Sequence, residues 1–182
     1  MTKADEASCG PRILTGEFEL SSGRQSDWYV DVKSWLLNQD SESSLVDMML
    51  MSSNYPAAIR SSGRGGGPLI PTVIAGSGYG GALLVSRLLA HTLAKGLVLR
   101  DDGRWIGCPI DDSATVLLVE DVLTTGESLE RTQLALVELC PSVLIIGAVA
   151  VCARPEYLGE VPHIYSATRS GCKRVWWPTS VL

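Results

Sequence analysis

The chain has 182 residues and a formal net charge of −5. We expect a single domain over residues 1–182, because this length suffices for one sizeable hydrophobic core. The acidic balance argues against nucleic-acid binding over a broad surface, which requires a basic excess. Five scattered cysteines without a CxxC pair favour neither a disulfide framework nor a zinc site, and they fit a reducing compartment.

The N-terminal residues MTKADEASCGPR contain no apolar segment of signal-peptide length. No apolar run in the chain approaches the roughly 20 residues that cross a bilayer. These two observations predict a cytoplasmic protein with no membrane partner.

The first predicted elements are two short strands, GEFEL (16–20) and WYVDVK (28–33), separated by the polar turn SSGRQSD. Two strands joined by such a turn predict a hairpin or a small hood, which we assign to residues 1–40. The apolar pattern of ESSLVDMMLMSS (42–53) predicts a helix. The glycine-rich segment SSGRGGGP (61–68) predicts a loop.

The remainder of the chain alternates between apolar runs and helical patterns. The apolar runs are PTVIA, GLVLR, TVLLVE and SVLIIGAVAV. The helical segments are GGALLVSRLLAHTLA and ESLERTQLALVELC. Apolar runs without polar alternation, separated by helices, are typical of a parallel sheet with both faces covered. The sequence therefore predicts an α/β fold with a central, mostly parallel sheet flanked by helices.

The segment VLLVEDVLTTGES (116–128) places Glu120 and Asp121 at the end of a predicted buried strand. Ligands of open α/β sheets bind beyond the carboxyl ends of the strands. The turn at Gly126 leads into a helix whose N-terminal N–H groups suit a phosphate, aided by nearby hydroxyl groups. The two acids suit the hydroxyls of a ribose or a hydrated Mg²⁺.

The same segment also fits a simple strand followed by a capped helix, because Thr124 and Glu127 have the spacing of a capping box. Capping, however, explains neither of the two acids that precede the turn.

VLLVEDVLTTGES resembles the phosphoribosyl diphosphate (PRPP) signature of type I phosphoribosyltransferases. FELSSGRQSDWYVDVK (18–33) is similar to the N-terminal block of the orotate phosphoribosyltransferases, and Arg154 in VAVCARPE matches an arginine that pairs with the pyrimidine in those enzymes. The resemblance implies a type I phosphoribosyltransferase fold with an N-terminal β-containing hood. It also implies transfer of phosphoribose from PRPP to orotate, which gives orotidine 5′-monophosphate and pyrophosphate.

The resemblance also implies the site residues. Catalytic roles fall to Glu120, Asp121 and Arg100. PRPP contacts fall to Glu120, Asp121, Val122, Leu123, Thr124, Thr125, Gly126, Glu127, Ser128, Ser77, Gly78, Tyr79, Gly80, Arg100 and Arg104. Base contacts fall to Thr124, Arg154, Ser22, Gly23 and Tyr29. No residue is assigned to a metal, because Mg²⁺ is expected to bind mainly through PRPP and pyrophosphate; a homodimer is also implied.

The segment VIAGSGYGG (73–81) permits a second interpretation. Gly76, Gly78 and Gly81 have GxGxxG spacing between a strand and a helix, and Asp101 follows the next strand, as in a dinucleotide-binding fold. The short chain leaves little room for a separate catalytic domain. The phosphoribosyltransferase family places a pyrophosphate-binding loop at this point, and we favour that role for Ser77 to Gly80.

The segment LVLRDDGRWIGCPIDD departs from the family pattern. Asp101 stands where a lysine is expected, Trp105 lies near the position of a histidine, and the loop is short. Four acids, Asp101, Asp102, Asp111 and Asp112, would oppose a polyanion unless Mg²⁺ intervenes. Three alternatives therefore stay open: transfer to another base, PRPP or nucleotide binding without turnover, and NAD binding.

Overall fold

The structure is a computed structural model that describes residues 11–20, 23–37, 71–153 and 165–166. The strands are β1 (Arg12–Glu19), β2 (Gln25–Asp31), β3 (Val73–Ser77), β4 (Lys95–Leu99), β5 (Trp105–Gly107), β6 (Thr115–Leu123), β7 (Leu144–Ala153) and β8 (Tyr165–Ser166). The helices are α1 (Val32–Leu36), α2 (Gly78–Leu89) and α3 (Glu127–Leu139). The helix predicted over 42–53 and the loop over 61–68 lie outside the described residues. No helix in the described part combines the length and apolar character needed to cross a membrane.

The predicted N-terminal hairpin is confirmed. Strands β1 and β2 pair antiparallel from Arg12 opposite Asp31 to Glu19 opposite Gln25. The second strand starts and ends earlier than predicted, and it ends at Asp31 because this residue caps a helix: the Oδ1 atom of Asp31 accepts a hydrogen bond from Ser34 N at 3.1 Å. An N-terminal cap of this kind favours helix over strand. The chain therefore turns into α1 at Val32.

The predicted, mostly parallel sheet is also confirmed. The described sheet has six strands in the order β5-β4-β3-β6-β7-β8. Five of them are parallel, and only β5 runs antiparallel, beside β4. The segment after β4, predicted as a loop, forms a tight hairpin in which Leu99 lies opposite Trp105. Trp105 is partly buried against the core, so it has a packing role there.

The buried residues form one cluster on each face of the sheet. Leu129 and Leu136 of α3 pack on the cluster that contains Val116 and Leu118. The opposite cluster joins side chains of α1 and α2 to the other face of β6; its β6 members are Leu117 and Val119. Successive residues of a strand point to opposite faces. By this alternation, Glu120 continues the α3 face and Asp121 continues the face covered by α1 and α2.

Candidate functional site

The candidate site lies where the chain reverses its direction of strand addition. Taken in chain order, the five parallel strands lie in the order 2-1-3-4-5, with β3 first and β6 third. In open sheets of this order, ligands bind outside the carboxyl ends of the first and third strands. Ser77 ends β3, and Glu120 and Asp121 lie near the end of the adjacent strand β6. The sheet therefore brings the two predicted segments to one edge.

Glu120 is a buried acid with an unsatisfied oxygen. The residue is 6% exposed, and its Oε2 atom has no hydrogen-bond partner among the described residues. Burial, followed by the neighbouring Asp121, raises the pKa of Glu120 to about 8, although Lys33 and Arg131 oppose the shift. A buried carboxyl group without a partner is costly in an isolated chain. Such an atom is suited to accept a hydrogen bond from a ligand.

Asp121 is confined between two elements on the other face of the sheet. It is 7% exposed, and its Oδ2 atom lies 3.3 Å from the Nζ atom of Lys33 on α1. A Cβ atom at Gly80 would overlap the Asp121 carboxyl group, so a larger residue at this point of α2 would displace that group. Oδ2 is buried and accepts no hydrogen bond within the described residues. Asp121 therefore has a charge partner but keeps free acceptor capacity.

Lys33 is a site residue that the sequence analysis missed. Burial lowers the pKa of Lys33, but Asp121 and Tyr29 together outweigh this effect, so that its pKa is raised. Tyr29 lies on β2, and its ring is 5.7 Å from that of Phe18, measured between centroids. A lysine at the end of a strand-like segment gives no signal by itself. Its contact with Asp121 depends on tertiary structure.

The turn between β6 and α3 has the predicted glycine but not the capping box. Gly126 is the N-cap residue and has a left-handed φ of 86°. Because the N-cap residue is glycine, it has no side chain to cap the helix. Glu127 N donates a hydrogen bond to the Oγ1 atom of Thr125 at 3.4 Å. The capping box between Thr124 and Glu127 is therefore wrong. Apart from Glu127 N, the first-turn N–H groups have no side-chain cap within the described residues and can face a ligand.

The other predicted residues of this segment divide by exposure. The side chains of Val122 and Leu123 pack in the core, so only their backbone groups can face a ligand. Thr124 is half-buried, whereas Glu127 and Ser128 are exposed. Thr132 donates a hydrogen bond to the carbonyl oxygen of Ser128 at 2.6 Å.

At the turn between β3 and α2, strand and helix meet without an intervening loop. Ser77 is buried, Gly78 has a left-handed φ of 60°, and Tyr79 is exposed. Gly76 and Gly81 pack closely, since a Cβ atom on either would lie 3.0 Å from backbone atoms of the other. Close helix packing therefore explains two of the three glycines in the GxGxxG pattern.

The strand order disagrees with the dinucleotide-binding interpretation of that pattern. The dinucleotide fold places its third strand beside the second, in the order 3-2-1-4-5-6. Here the second parallel strand, β4, is flanked instead by the antiparallel strand β5. We therefore do not propose NAD binding.

The predicted arginines lie on the turn of the β4–β5 hairpin. Arg104 donates two hydrogen bonds to Asp102 Oδ2, from Nε at 3.0 Å and from Nη2 at 2.7 Å. Arg100 Nη2 lies 3.3 Å from the same oxygen. The hydrogen bonds from Arg104 are the main reason that the pKa of Asp102 is lowered. The two arginines therefore pair with an acid of the same turn. The neighbouring acid, Asp101, has its Oδ1 atom 3.8 Å from the Nη2 atom of Arg131 on α3.

The structure describes only some of the residues predicted to contact the base. Gly23 lies in the exposed β1–β2 turn with a left-handed φ of 77°, and Tyr29 lies on β2. Ser22 and Arg154 lie outside the described residues.

The chain is similar to two curated orotate phosphoribosyltransferases. Orotate phosphoribosyltransferase of Thermococcus gammatolerans is 31% identical over 141 residues, which cover 75% of this chain and 70% of that protein. Orotate phosphoribosyltransferase of Erythrobacter litoralis is 31% identical over 121 residues, which cover 64% of this chain and 57% of that protein. No family model matches the chain.

The fold, with buried acids at its switch point, defines the class of type I phosphoribosyltransferases. The crystal structure of orotate phosphoribosyltransferase from Aeropyrum pernix has a TM-score of 0.61 and 25% identity, over 81% of this chain and 79% of that one. With the identity and coverage of the Thermococcus protein, this likeness identifies the particular family. The chain belongs to the orotate phosphoribosyltransferase family.

Proposed function

We propose that the protein transfers the 5-phosphoribosyl group of PRPP to orotate and releases orotidine 5′-monophosphate and pyrophosphate. The observation that carries this proposal is the buried acid pair, Glu120 and Asp121, whose Oε2 and Oδ2 atoms have no hydrogen-bond partner among the described residues. A pair of hydroxyl groups on one ribose supplies two donors for two such acceptors. The pair lies at the edge of the sheet where ligands of this fold class bind.

In this reaction the bond between ribose C1 and the pyrophosphate oxygen breaks, and its electron pair leaves with pyrophosphate. A ring nitrogen of orotate forms the new bond to C1 and releases its proton, which pyrophosphate or water takes up. Positive charge develops on the ribose as in other glycosyl transfers. Asp121 would stabilise that charge while Glu120 and Asp121 hold the ribose hydroxyls, because a fixed negative group acts strongly in a buried site.

The two turns on either side of the acids suit the charged ends of PRPP. The start of α3, from Thr124 to Ser128, offers hydroxyl groups and uncapped N–H groups to the 5′-phosphate. The start of α2, from Ser77 to Gly80, offers N–H groups to pyrophosphate, which Arg100 and Arg104 would also contact. The first turn of α3 carries Glu127 and Glu130, which weaken the attraction for phosphate.

In the proposed reaction a Mg²⁺ ion would be held mainly by the phosphate groups of the substrate. No set of three or more His, Cys, Asp or Glu side chains in the described ranges is arranged to hold a metal. Mg²⁺ commonly binds through substrate phosphates, with few protein ligands. When bound to pyrophosphate, it would neutralise charge on the leaving group.

The test is a turnover assay that follows the loss of orotate absorbance in the presence of PRPP and Mg²⁺. Conversion of orotate supports the proposal. Conversion of a purine with no conversion of orotate would reassign the substrate. Calorimetric titration with PRPP should be run in parallel, because failure to bind PRPP would contradict the assignment of the acid pair as well.

A second candidate function is PRPP binding without turnover. The observation that favours it is the pairing of Arg100 and Arg104 with Asp102 on a short hairpin, which occupies the groups that would receive pyrophosphate. PRPP binding without conversion of orotate or a purine would support this candidate.

A further inference from the structure

The ion pair between Lys33 and Asp121 joins the N-terminal hairpin segment to the edge of the main sheet. Lys33 belongs to α1, which follows β2 directly, and Asp121 belongs to β6. The two charged atoms are 3.3 Å apart, and the side chains of Lys33 and Asp121 are 40% and 9% exposed. The carboxylate is therefore largely removed from water while the ammonium group keeps a solvated side. A carboxylate held in this way has less freedom than one in an exposed pair.

Lys33 forms its ion pair with Asp121 and not with the adjacent Glu120. Strand alternation directs Asp121 toward α1 and α2, where Gly80 leaves room for its carboxyl group. Glu120 continues the α3 face, and Lys33 and Arg131 offset only part of the rise in its pKa. Two carboxylates side by side in a buried place repel each other. Lys33 is the positive group in ion-pair distance of this acid pair among the described residues.

Tyr29 extends the link into the hairpin. Tyr29 of β2 is near enough to Lys33 to add to the rise in the Lys33 pKa. The Tyr29 ring also contacts Phe18 of β1. A chain of contacts therefore runs from the hairpin, through Lys33, to Asp121.

We propose that Lys33 is a positioning residue that fixes the Asp121 carboxylate for the ribose hydroxyls and balances the charge of the two adjacent acids. This inference rests on the proposed function, because it takes the acid pair as the ribose-binding group. Lys33 acts through Asp121 and does not itself contact the substrate. Losing it should therefore weaken PRPP binding more than it slows the chemical step.

The test compares Lys33→Met with Lys33→Arg, which keeps the charge. Lys95→Met is the matched control, because Lys95 is exposed at the amino end of β4, at the opposite edge of the sheet. The measurements are the Kd for PRPP by calorimetry, and KM and kcat, each across the neutral pH range. Lys33→Met should raise the Kd and KM for PRPP about tenfold, with a smaller change in kcat.

The pH profile supplies a readout that a merely structural role would not change. The charged groups facing Glu120 are Asp121, Lys33 and Arg131, and those facing Lys33 are Asp121 and Tyr29. Without Lys33, the pKa of Glu120 rises further, so the acidic limb of PRPP binding should move to higher pH. Lys33→Arg, which keeps the positive charge, should keep the parental profile.

Unchanged or tighter PRPP binding by Lys33→Met, with an unchanged pH profile, would overturn the proposal. If the parent protein itself fails to bind PRPP, the proposed function fails instead. The link is then measured in the ligand-free proteins by urea unfolding at several pH values. Above the parent's Glu120 pKa of about 8, Lys33→Met should continue to lose stability as pH rises while the contribution of Glu120 in the parent levels off. Equal slopes in this range would overturn the positioning role as well.

Discussion

Acidic side chains have opposite environments in two regions of the molecule, the acid pair near the end of β6 and the turn of the β4–β5 hairpin. At β6, Glu120 and Asp121 are buried and retain oxygens without hydrogen-bond partners. At the hairpin turn, Asp102 is exposed and receives Arg104 and Arg100 together. Burial makes an unmet acceptor costly, whereas solvent makes an exposed ion pair nearly neutral in energy. Under the proposed function, the buried acids would receive hydrogen bonds from the ribose, and the exposed arginines would exchange Asp102 for pyrophosphate.

Replacing Asp121 with Asn should produce the largest effect, because it removes one buried negative charge and leaves Lys33 without its partner. Hydrogen bonds to a charged acceptor contribute about 1.5 to 3 kcal/mol, so kcat/KM should fall roughly 100-fold. Steady-state kinetics with varied PRPP measure this loss. Asp112→Asn, an exposed acid that precedes β6, is the control and should remain active. Parental activity in Asp121→Asn would contradict the assignment of this strand end.

Gly80→Ala tests whether the space beneath Asp121 is required. The added methyl group would overlap the Asp121 carboxyl group and displace it. We expect a loss of about 1 to 3 kcal/mol in stability, as for other overpacked sites, and roughly tenfold weaker PRPP binding. Urea unfolding and calorimetry measure the two effects.

A double variant separates a local clash from general damage to α2. In the Asp121→Gly background the carboxyl group is absent, so Gly80→Ala should cost much less stability than in the parent. Ser86→Ala, on an exposed position of α2, is the control for helix propensity. Equal costs in both backgrounds would show that the displaced group is not Asp121.

The sequence predicted the sheet, its two covering helices and the acid pair, because these features depend on local patterns. Apolar runs such as TVLLVE identify buried strands, and the acids interrupt the run at its end. The sequence also predicted a ligand site beyond the strand ends, whereas the switch point became visible only from the strand order of the structure.

The charge partners in the site depend on tertiary contacts and could not be predicted in the same way. Lys33 meets Asp121 only when α1 packs beside β6, and the helix itself begins because Asp31 caps it inside a strand-like segment. The hairpin turn was predicted as a loop, since its pairing of Leu99 with Trp105 has no local signal. The predicted capping box does not form, because the N-cap residue is Gly126, which has a left-handed φ, and not Thr124.

The ionisation of Glu120 predicts a smaller effect, on the pH dependence of stability. Between its ordinary pKa of 4.5 and its raised pKa of about 8, Glu120 is ionised in the unfolded chain but protonated in the folded protein. The folded state then binds the extra proton, so stability falls as pH rises through this window. Glu120→Gln should remove more than about 1 kcal/mol of this fall, since one pKa unit corresponds to about 1.4 kcal/mol. Urea unfolding at several pH values measures the slope, and a parental slope in the variant would contradict the prediction.

The smallest effect is expected at the exposed turn, where Asp102→Asn should release Arg104 and Arg100 for an incoming anion. All three groups are exposed, so solvent already screens their attraction, and the affinity for pyrophosphate should rise only about two- to threefold. Because salt screens exposed charges, the gain should shrink as ionic strength increases. Calorimetry with pyrophosphate at low and high salt measures both, with Asp27→Asn on the exposed part of β2 as the control. Unchanged affinity at low salt would show that the two arginines do not receive pyrophosphate. The contrast between the buried and the exposed acid would then reflect packing alone.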